Sequence, residues 1–412
     1  MAESMASTAP RRAGALKTWA GRLAGIAFGV LLAWLLVEVL IRLLFFSLPP
    51  RLQLVLEHVR KTPFSDARLL PDPIWQADTD YLMIARPVQN YEQFGSAEVR
   101  FTVSTETLWG SRVAFRTRQE LVDRHVDAVA VGDSFTFCFT NDEDCWVQQL
   151  GTLTGLNIIN LGITSTGSLS HARVLADFGL PLKPPLVIWQ WFGNDANEDY
   201  GLAALRGETD VQSANPSPPV PKRNWWDEHS ALYVLLKLYL GSEDDFAASL
   251  QFHAPVYATQ GEVTLAFGQP YLWDAFDMTQ PHNLDGWARG QAAIRAARES
   301  VEAYGGRLVI VLMPTKEQVY RAMSEPLLGA EKLALLDTPY AMMRDFCAAE
   351  GLDCFDPLAA LQAHADAGEQ LYYTTDMHLN ARGNAALADW LAAWLAENPE
   401  VFTLDETTTP DS

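Results

Sequence analysis

Four short apolar runs, each followed at once by small or polar residues, constrain this chain more than any other feature. They lie at 126–131, 157–161, 186–192 and 308–313, and the last three are rich in β-branched or aromatic residues. Each is long enough for a strand and too short for a helix. Residues 352–355 form a fifth, shorter run. Helical patterns separate them, at about 142–153, 168–178, 286–304 and 330–349. A last helix at 381–396 puts Leu387, Trp390, Leu391, Trp394 and Leu395 on one face. Strands alternating with helices predict a parallel sheet covered on both sides, a doubly wound α/β sandwich.

The rhythm breaks between about 200 and 285. That stretch contains "NPSPPVPKRNWW", an amphipathic pattern near 228–240, and "PVYATQGEVTLAFGQPYLW", which reads as a hairpin turning around Gln260-Gly261. Insertions of this kind sit above the carboxyl edge of an α/β sheet, where ligands bind, so a cap over the site is expected. A structural or docking subdomain is the alternative. Residues 48–125 show no clear periodicity and read as an approach segment packed on the 126–396 domain. The tail, 397–412, ends in "DETTTPDS" and is expected to be disordered.

The chain also holds a segment with a different purpose. Residues 23–47, "LAGIAFGVLLAWLLVEVLIRLLFFS", are interrupted only by Glu38 and Arg42, which stand four apart and can pair on one helix face. Twenty-five residues at about 1.5 Å each span a hydrocarbon core of roughly 30 Å with some tilt. A cleaved signal peptide would be shorter and would end in a small-x-small site rather than "FFSLPPR". A soluble core helix would show a polar face. The reading is one retained transmembrane anchor behind a cytoplasmic tail of residues 1–22. Arg11, Arg12, Lys17 and Arg22 before the span place the N-terminus in the cytoplasm and residues 50–412 in the periplasm or outside the cell.

Charge agrees with export and argues against one class of partner. The 412 residues carry −21, but residues 1–60 carry +4, leaving −25 on the rest. A surface so acidic repels nucleic acid. Thirteen Trp and 19 Phe argue against a disordered chain. The four cysteines form two local pairs, Cys138/Cys145 and Cys347/Cys354, each seven apart and neither with C-x-x-C spacing. In an oxidising compartment two short-loop disulfides are expected, whereas four buried thiols would fit a cytosolic chain.

Open α/β sheets present reactive groups just beyond the carboxyl ends of their strands. Ser134 stands there after the first run, Gly162 after the second and Gly193-Asn194-Asp195 after the third, while Asp376 and His378 precede the last helix. A serine hydroxyl is a weak nucleophile. It needs an imidazole in hydrogen-bond reach and a carboxylate to orient that imidazole. The developing oxyanion needs donors, which the N–H groups of Ser134 and Gly162 and the amide of Asn194 can supply.

At Gly132-Asp133-Ser134-Phe135, at Gly162 within "NLGITSTG", at Gly193-Asn194-Asp195 and at Asp376 with His378, the sequence resembles the SGNH, or GDSL-type, serine hydrolases. The four blocks occur in the family's order over roughly residues 125–396. The resemblance implies a flavodoxin-like three-layer α/β/α sandwich and ester cleavage or acyl transfer without metal or cofactor. It implies Ser134 as nucleophile, His378 as general base and acid, and Asp376 as its orienter. Ser134, Gly162 and Asn194 would form the oxyanion hole, supported by Asp133, Gly193 and Asp195. One departure matters: the family's usual D-x-x-H is here Asp376-Met377-His378. This shorter spacing resembles the branch containing alginate-type O-acetyltransferases of the bacterial periplasm, as does "LVIVLMPTKEQVY". It raises acyl transfer to a polysaccharide as a rival to hydrolysis, with a membrane partner supplying the acyl donor, and weakens the assignment of Asp376.

Other features carry plainer expectations. His125, His171, His229, His253, His282 and His364 receive no role. "NDEDC" at 141–145 lacks the glycine and distal glutamate of a calcium loop and reads as a solvated helix start. Asp195, Glu198 and Asp199 read as solvated acids and supports, not metal ligands. Trp225, Trp226, Trp273 and Trp287 read as subdomain core more readily than as sugar-stacking platforms. The expected function is an anchored, exported esterase acting on acyl, chiefly O-acetyl, esters of a carbohydrate. An O-acetyltransferase is the alternative, and a catalytically silent glycan- or partner-binding protein a second.

Overall fold

A computed structural model describes residues 11–48, 52, 56, 74–94, 98–211, 225–240 and 256–401. The "DETTTPDS" tail and most of "NPSPPVPKRNWW" lie outside the described residues. The chain divides into two units, Met1–Asp66 with Pro221–Ser249, and Ala67–Val220 with Leu250–Ser412.

In the larger unit the approach segment is itself a folded sheet. Trp75–Asp78 (β1), Leu82–Ala85 (β2), Val88–Phe94 (β3), Arg100–Thr107 (β4) and Ala114–Phe115 (β5) make an antiparallel sheet in the order β1-β2-β5-β4-β3. In β4 Phe101, Val103 and Thr105 are buried between exposed or half-buried neighbours, the period of two that a one-sided sheet requires. Ile74, Val99, Phe101 and Val103 pack with Phe137, which follows the first predicted strand.

The predicted alternation then closes as expected. Ala128–Val131 (β6), Ile158–Asn160 (β7) and Leu186–Phe192 (β8) are followed by the hairpin Val256–Gln260 (β9) and Val263–Phe267 (β10), then by Arg307–Met313 (β11) and Asp353–Phe355 (β12). Strands β6, β7, β8, β11 and β12 form a parallel sheet in the spatial order β7-β6-β8-β11-β12. That is the flavodoxin-like order, with its topological switch between β6 and β8. Alternate residues feed opposite cores. Ala128, Ala130, Val309 and Val311 face the helices Trp146–Thr154 and Ala381–Glu397, while Val129, Val131, Ile310 and Leu312 face Ser168–Val174 and Pro281–Glu302. Every residue of β8 is buried, which explains an apolar run without alternation.

The 200–285 insertion is not one body. Its middle, 221–249, groups with the N-terminal helix, whereas the hairpin and the following helix Pro270–Ala275 belong to the larger unit. The hairpin turns at Gly261, in the left-handed region, with Val263 paired to Gln260. The smaller unit contains the helix Arg11–Leu43, continued by a tight turn at Phe45–Ser47, so the helix stops short of the predicted end at 47. Within it, Gly21–Leu43 is long and apolar enough to cross a membrane.

Candidate active site

The turn after β6 is held from several sides. Asp133 caps the one-turn helix Ser134–Phe137, its carboxylate accepting from the Phe135 N–H at 2.8 Å. Gln190 on β8 offers Oε1 to the Asp133 N–H and to the Thr136 hydroxyl, both at 3.0 Å. Asn160 Nδ2 donates to the Thr136 carbonyl at 2.8 Å and Trp146 Nε1 to the Phe135 carbonyl at 2.9 Å. Ser134 therefore sits on a fixed backbone, half-exposed, and no acceptor among the described residues takes its N–H.

His378, 244 positions away, and Asp376 beside it complete the arrangement. His378 Nε2 lies 2.7 Å from Ser134 Oγ, and His378 Nδ1 lies 2.5 Å from Asp376 Oδ1. The same Asp376 oxygen accepts the His378 backbone N–H at 2.9 Å. With the ring proton on Nδ1, Nε2 is the acceptor facing the hydroxyl. The imidazole is wedged between the rings of Phe135 and Phe139, at centroid distances of 4.8 and 4.3 Å. Burial pushes the Asp376 carboxyl up, but the charge on His378, its two hydrogen bonds and the charge on Lys316 together hold it below the usual carboxylate range. For Asp133 burial wins, and its carboxyl is pushed up to about 6.

Two charged residues to which the sequence reading gave no role, Glu98 and Lys316 of "LVIVLMPTKEQVY", hold the loop bearing Asp376. Glu98 accepts from the N–H groups of Thr374 at 2.7 Å, Thr375 at 2.5 Å and Asp376 at 3.2 Å, and from the Thr375 hydroxyl. Buried Lys316 donates to the carbonyls of Tyr373, Thr374 and Asp376 at 3.3, 3.1 and 2.9 Å. Desolvation lowers the Lys316 ammonium despite the nearby charges of Glu317, Asp376 and Glu98.

Of the three expected oxyanion donors, Gly162 has a partner within its own turn. Its N–H is already given to Asn160 Oδ1 at 2.9 Å. Its requirement for glycine is steric, since a Cβ there would collide with the Thr136–Phe137 backbone. Asn194 Nδ2 donates to the Tyr271 hydroxyl at 3.1 Å, and Tyr271 in turn donates to Glu198 at 2.8 Å. An amide carries two N–H donors, so one remains. Gly193 lies against the Phe276 ring, where a side chain would not fit. Tyr271 and Phe276, from the end of the insertion, thus border the site.

Two of the three acids after β8 are not solvated, against expectation. Asp195 and Asp199 are fully buried, and burial drives both carboxyls well above the ordinary range, as it raises Glu198. Asp195 accepts from Ser168 Oγ at 2.9 Å and Asp199 from the Leu169 N–H at 2.7 Å, so they tie two helices together. Buried His171 is pushed down to about 3 by desolvation. Among the described residues no group of three or more His, Cys, Asp or Glu can hold a metal ion.

Both cysteine pairs are bonded, with Cα separations of 5.5 Å for Cys138–Cys145 and 6.2 Å for Cys347–Cys354. The "NDEDC" stretch is a short 3-10 turn, Asp142–Asp144, and its Asp142 pairs with buried Arg116. Arg116 also donates to the carbonyls of Phe137, Cys138 and Thr140 at 2.9, 2.6 and 3.0 Å. Trp287 is core, packed on Trp191 and Phe346, and Trp273 packs against the other core, but Trp225 and Trp226 are exposed.

The Ser–His–Asp line stands at the switch point of a flavodoxin-like sheet. Residues 272–410, which include Asp376 and His378, match the family model described as the SGNH hydrolase-like domain of the acetyltransferase AlgX. That match bears out the resemblance read from the sequence. No curated protein matches the chain. Similar solved structures include the acetyl xylan esterase AlAXEase, 12% identical over 65% of this chain and 98% of that one, TM-score 0.35. Others are a member of the lipolytic protein G-D-S-L family from Veillonella parvula (12%, 67% and 97%, 0.34) and a catalytic mutant of an acetylxylan esterase from Geobacillus stearothermophilus (12%, 66% and 92%, 0.34).

Proposed function

We propose that the chain is a membrane-anchored, exported serine esterase that cleaves O-acetyl esters of a carbohydrate. The observation that carries the chemistry is the continuous hydrogen-bonded line from Ser134 Oγ through His378 to Asp376. Ser134 Oγ attacks the acyl carbonyl as His378 Nε2 takes its proton, and the carbonyl electrons move to the oxygen. The Ser134 N–H and the second N–H of Asn194 stabilise that oxyanion. Collapse expels the sugar alkoxide, which takes the proton from His378 and leaves acyl-Ser134. Water, deprotonated by His378, then releases acetate and restores the hydroxyl. The bonded cysteines and the N-terminal apolar helix support an anchored domain in an oxidising space.

The match to an acetyltransferase domain favours a second reading. Acyl-Ser134 is then intercepted by a glycan hydroxyl instead of water, with a membrane partner supplying the activated acyl group. Incubation of the full-length protein with an aryl acetate, with and without an acetyl-free polysaccharide, separates the readings. Acetyl-Ser134 by mass spectrometry is expected in both. Acetate release without acceptor supports the esterase, and acceptor-dependent turnover with acetylated glycan supports the transferase. Absence of acyl-enzyme together with normal turnover would overturn the serine mechanism.

A further inference from the structure

An acidic residue inside a membrane-length apolar helix needs a reason, because an unpaired carboxylate in hydrocarbon is expensive. Glu38 has one. Its carboxylate accepts from the Arg42 guanidinium at 2.9 Å, the Ser230 hydroxyl at 3.0 Å, the Ala231 N–H at 2.9 Å and the Leu232 N–H at 3.0 Å. Three of these donors belong to the start of the helix Ala231–Leu240, whose first N–H groups have no partner within the helix itself. Arg42 adds a bond to the His229 carbonyl at 3.0 Å. Phe45, Leu56 and Ala231 form a small core with Ile41, Val234 and Leu235. The helix 231–240 is thus built onto the apolar helix by a four-donor polar lock and an apolar seam.

Depth follows from sequence position. Glu38 lies five residues before Leu43, the end of the apolar stretch Gly21–Leu43. At about 1.5 Å per residue that is roughly 7–8 Å inside the stretch. The residues bonded to Glu38 share that depth. The helix they begin suits such a place: "ALYVLLKLYL" is apolar but for Lys237, and Tyr239 and Leu240 are 85% and 77% exposed. Tyrosine is a residue that favours membrane interfaces.

Resting on the anchored reading above, we propose that the helix 231–240 is a second membrane-seated element, packed on the anchor at the outer side of the bilayer with lipid acyl chains against its outer face. Lipid is favoured over a partner helix by composition. Contacts between membrane helices are enriched in Gly, Ala and Ser, whereas the exposed face here carries Leu236, Tyr239 and Leu240. The chain then enters the bilayer twice, once through its anchor and once by an insertion from the middle of the sequence. A substrate or acyl donor held at the membrane surface would meet an enzyme fixed there at two points.

The test uses full-length protein, in which the native cysteines are bonded to one another. Tyr239→Cys and Leu240→Cys are compared with Arg118→Cys, which lies on the exposed surface of the larger unit. An impermeant maleimide is applied to native membranes and to phospholipid nanodiscs, after alkaline carbonate washing. At least tenfold slower labelling at 239 and 240 than at 118, in both settings, is expected. Nitroxide lipids should quench a fluorophore at 239, and Glu38→Ala should raise labelling there several-fold. Labelling at the control rate in a chain that resists carbonate overturns the proposal and leaves the anchor standing. Protection in native membranes but not in nanodiscs would show a protein partner and overturn the lipid assignment. Release of the chain by carbonate overturns the anchor reading itself, and the proposal with it.

Discussion

The buried ammonium of Lys316 donates to the carbonyl oxygen of Asp376 at 2.9 Å, at the end of β11 and across the loop from Glu98. The two side chains divide the backbone of residues 373–376 between them. Glu98 takes N–H groups and Lys316 takes carbonyls, so each peptide is held by a charge-assisted bond. The loop that carries Asp376 and leads to His378 is thereby fixed by residues 57 or more positions distant.

These are positioning residues, and their loss should appear in kcat more than in KM. Glu98→Gln replaces one acceptor oxygen by a donor facing N–H groups, and Lys316→Met leaves three carbonyls without their donor. Each is expected to lower kcat for an aryl acetate by about 10- to 100-fold, since small displacements of a reacting group are costly. KM should change by less than about threefold, and Tm should fall. A loss carried by KM alone would place these residues in substrate binding instead.

The triad prediction rests on the shared Asp376 oxygen. Ser134→Ala should cut turnover by at least about 10³-fold, as removal of a nucleophile does elsewhere. Asp376→Asn should cost less than His378→Ala. The His378 backbone N–H keeps the amide oxygen of the substituted side chain turned toward Nδ1, so the productive tautomer survives without the charge. Equal losses in Asp376→Asn and His378→Ala, measured as kcat/KM on folded variants, would show that the carboxylate charge itself is required.

The parallel sheet was legible because its strands are buried on both faces and therefore read as short continuous apolar runs between helical patterns. The triad was legible because its members lie at strand ends in a familiar order. What escaped were features without a local pattern. Strands β1, β3 and β4 carry Gln, Asn, Thr and Ser among few apolar residues, so their hydrophobic alternation is weak, and β2 and β5 are too short to show one. Glu98, Arg116 and Lys316 act through backbone groups far away in sequence. Gly162 has the position of a donor, but only the structure shows that Asn160 occupies its N–H. Asp195 and Asp199 follow a strand end, where acids are commonly solvated, and here the Ser168–Val174 helix packs on both while Gly290 of the Pro281–Glu302 helix closes over Asp199.

The pH prediction concerns Asp199. Its folded-state carboxyl is driven well above the ordinary value by burial, so the folded chain binds this proton more tightly than the unfolded one. Its contribution to stability is therefore greatest at low pH and is lost as pH rises from about 4 through the folded value. Asp199→Asn removes that titration while keeping an acceptor for the Leu169 N–H. The variant is expected to gain Tm relative to the parent at pH 8 and to lose that gain near pH 4. The same scans will carry His171, whose folded pKa of about 3 costs stability as pH falls below about 6.5. Because both proteins contain His171, its effect cancels in the difference. A difference in Tm that is flat from pH 4 to 8 would mean that Asp199 does not titrate differently on folding.

The last prediction concerns the loop after Ser134, which is braced twice. Cys138 sits at φ +63°, a conformation unfavourable for a residue with a side chain, and its carbonyl is one of three held by Arg116. The bond to Cys145 closes a loop with a sequence separation of only 7. The chain-entropy relation gives about 2.5 kcal/mol for so short a loop, so its larger effect is local. Disulfide and guanidinium hold the same few residues, among them Phe139, whose ring packs on His378. Cys138→Ser with Cys145→Ser should therefore lower kcat by no more than about tenfold while Arg116 remains. Adding Arg116→Met should cost far more than the two separate losses combined, since it frees three carbonyls and Asp142 at once. Peptide mapping of non-reduced, thiol-blocked protein should still find Cys347 bonded to Cys354 in the double variant. Strictly additive losses in kcat would show that the two braces act on separate parts of the loop, and free Cys138 and Cys145 in freshly isolated parent protein would remove the disulfide brace altogether.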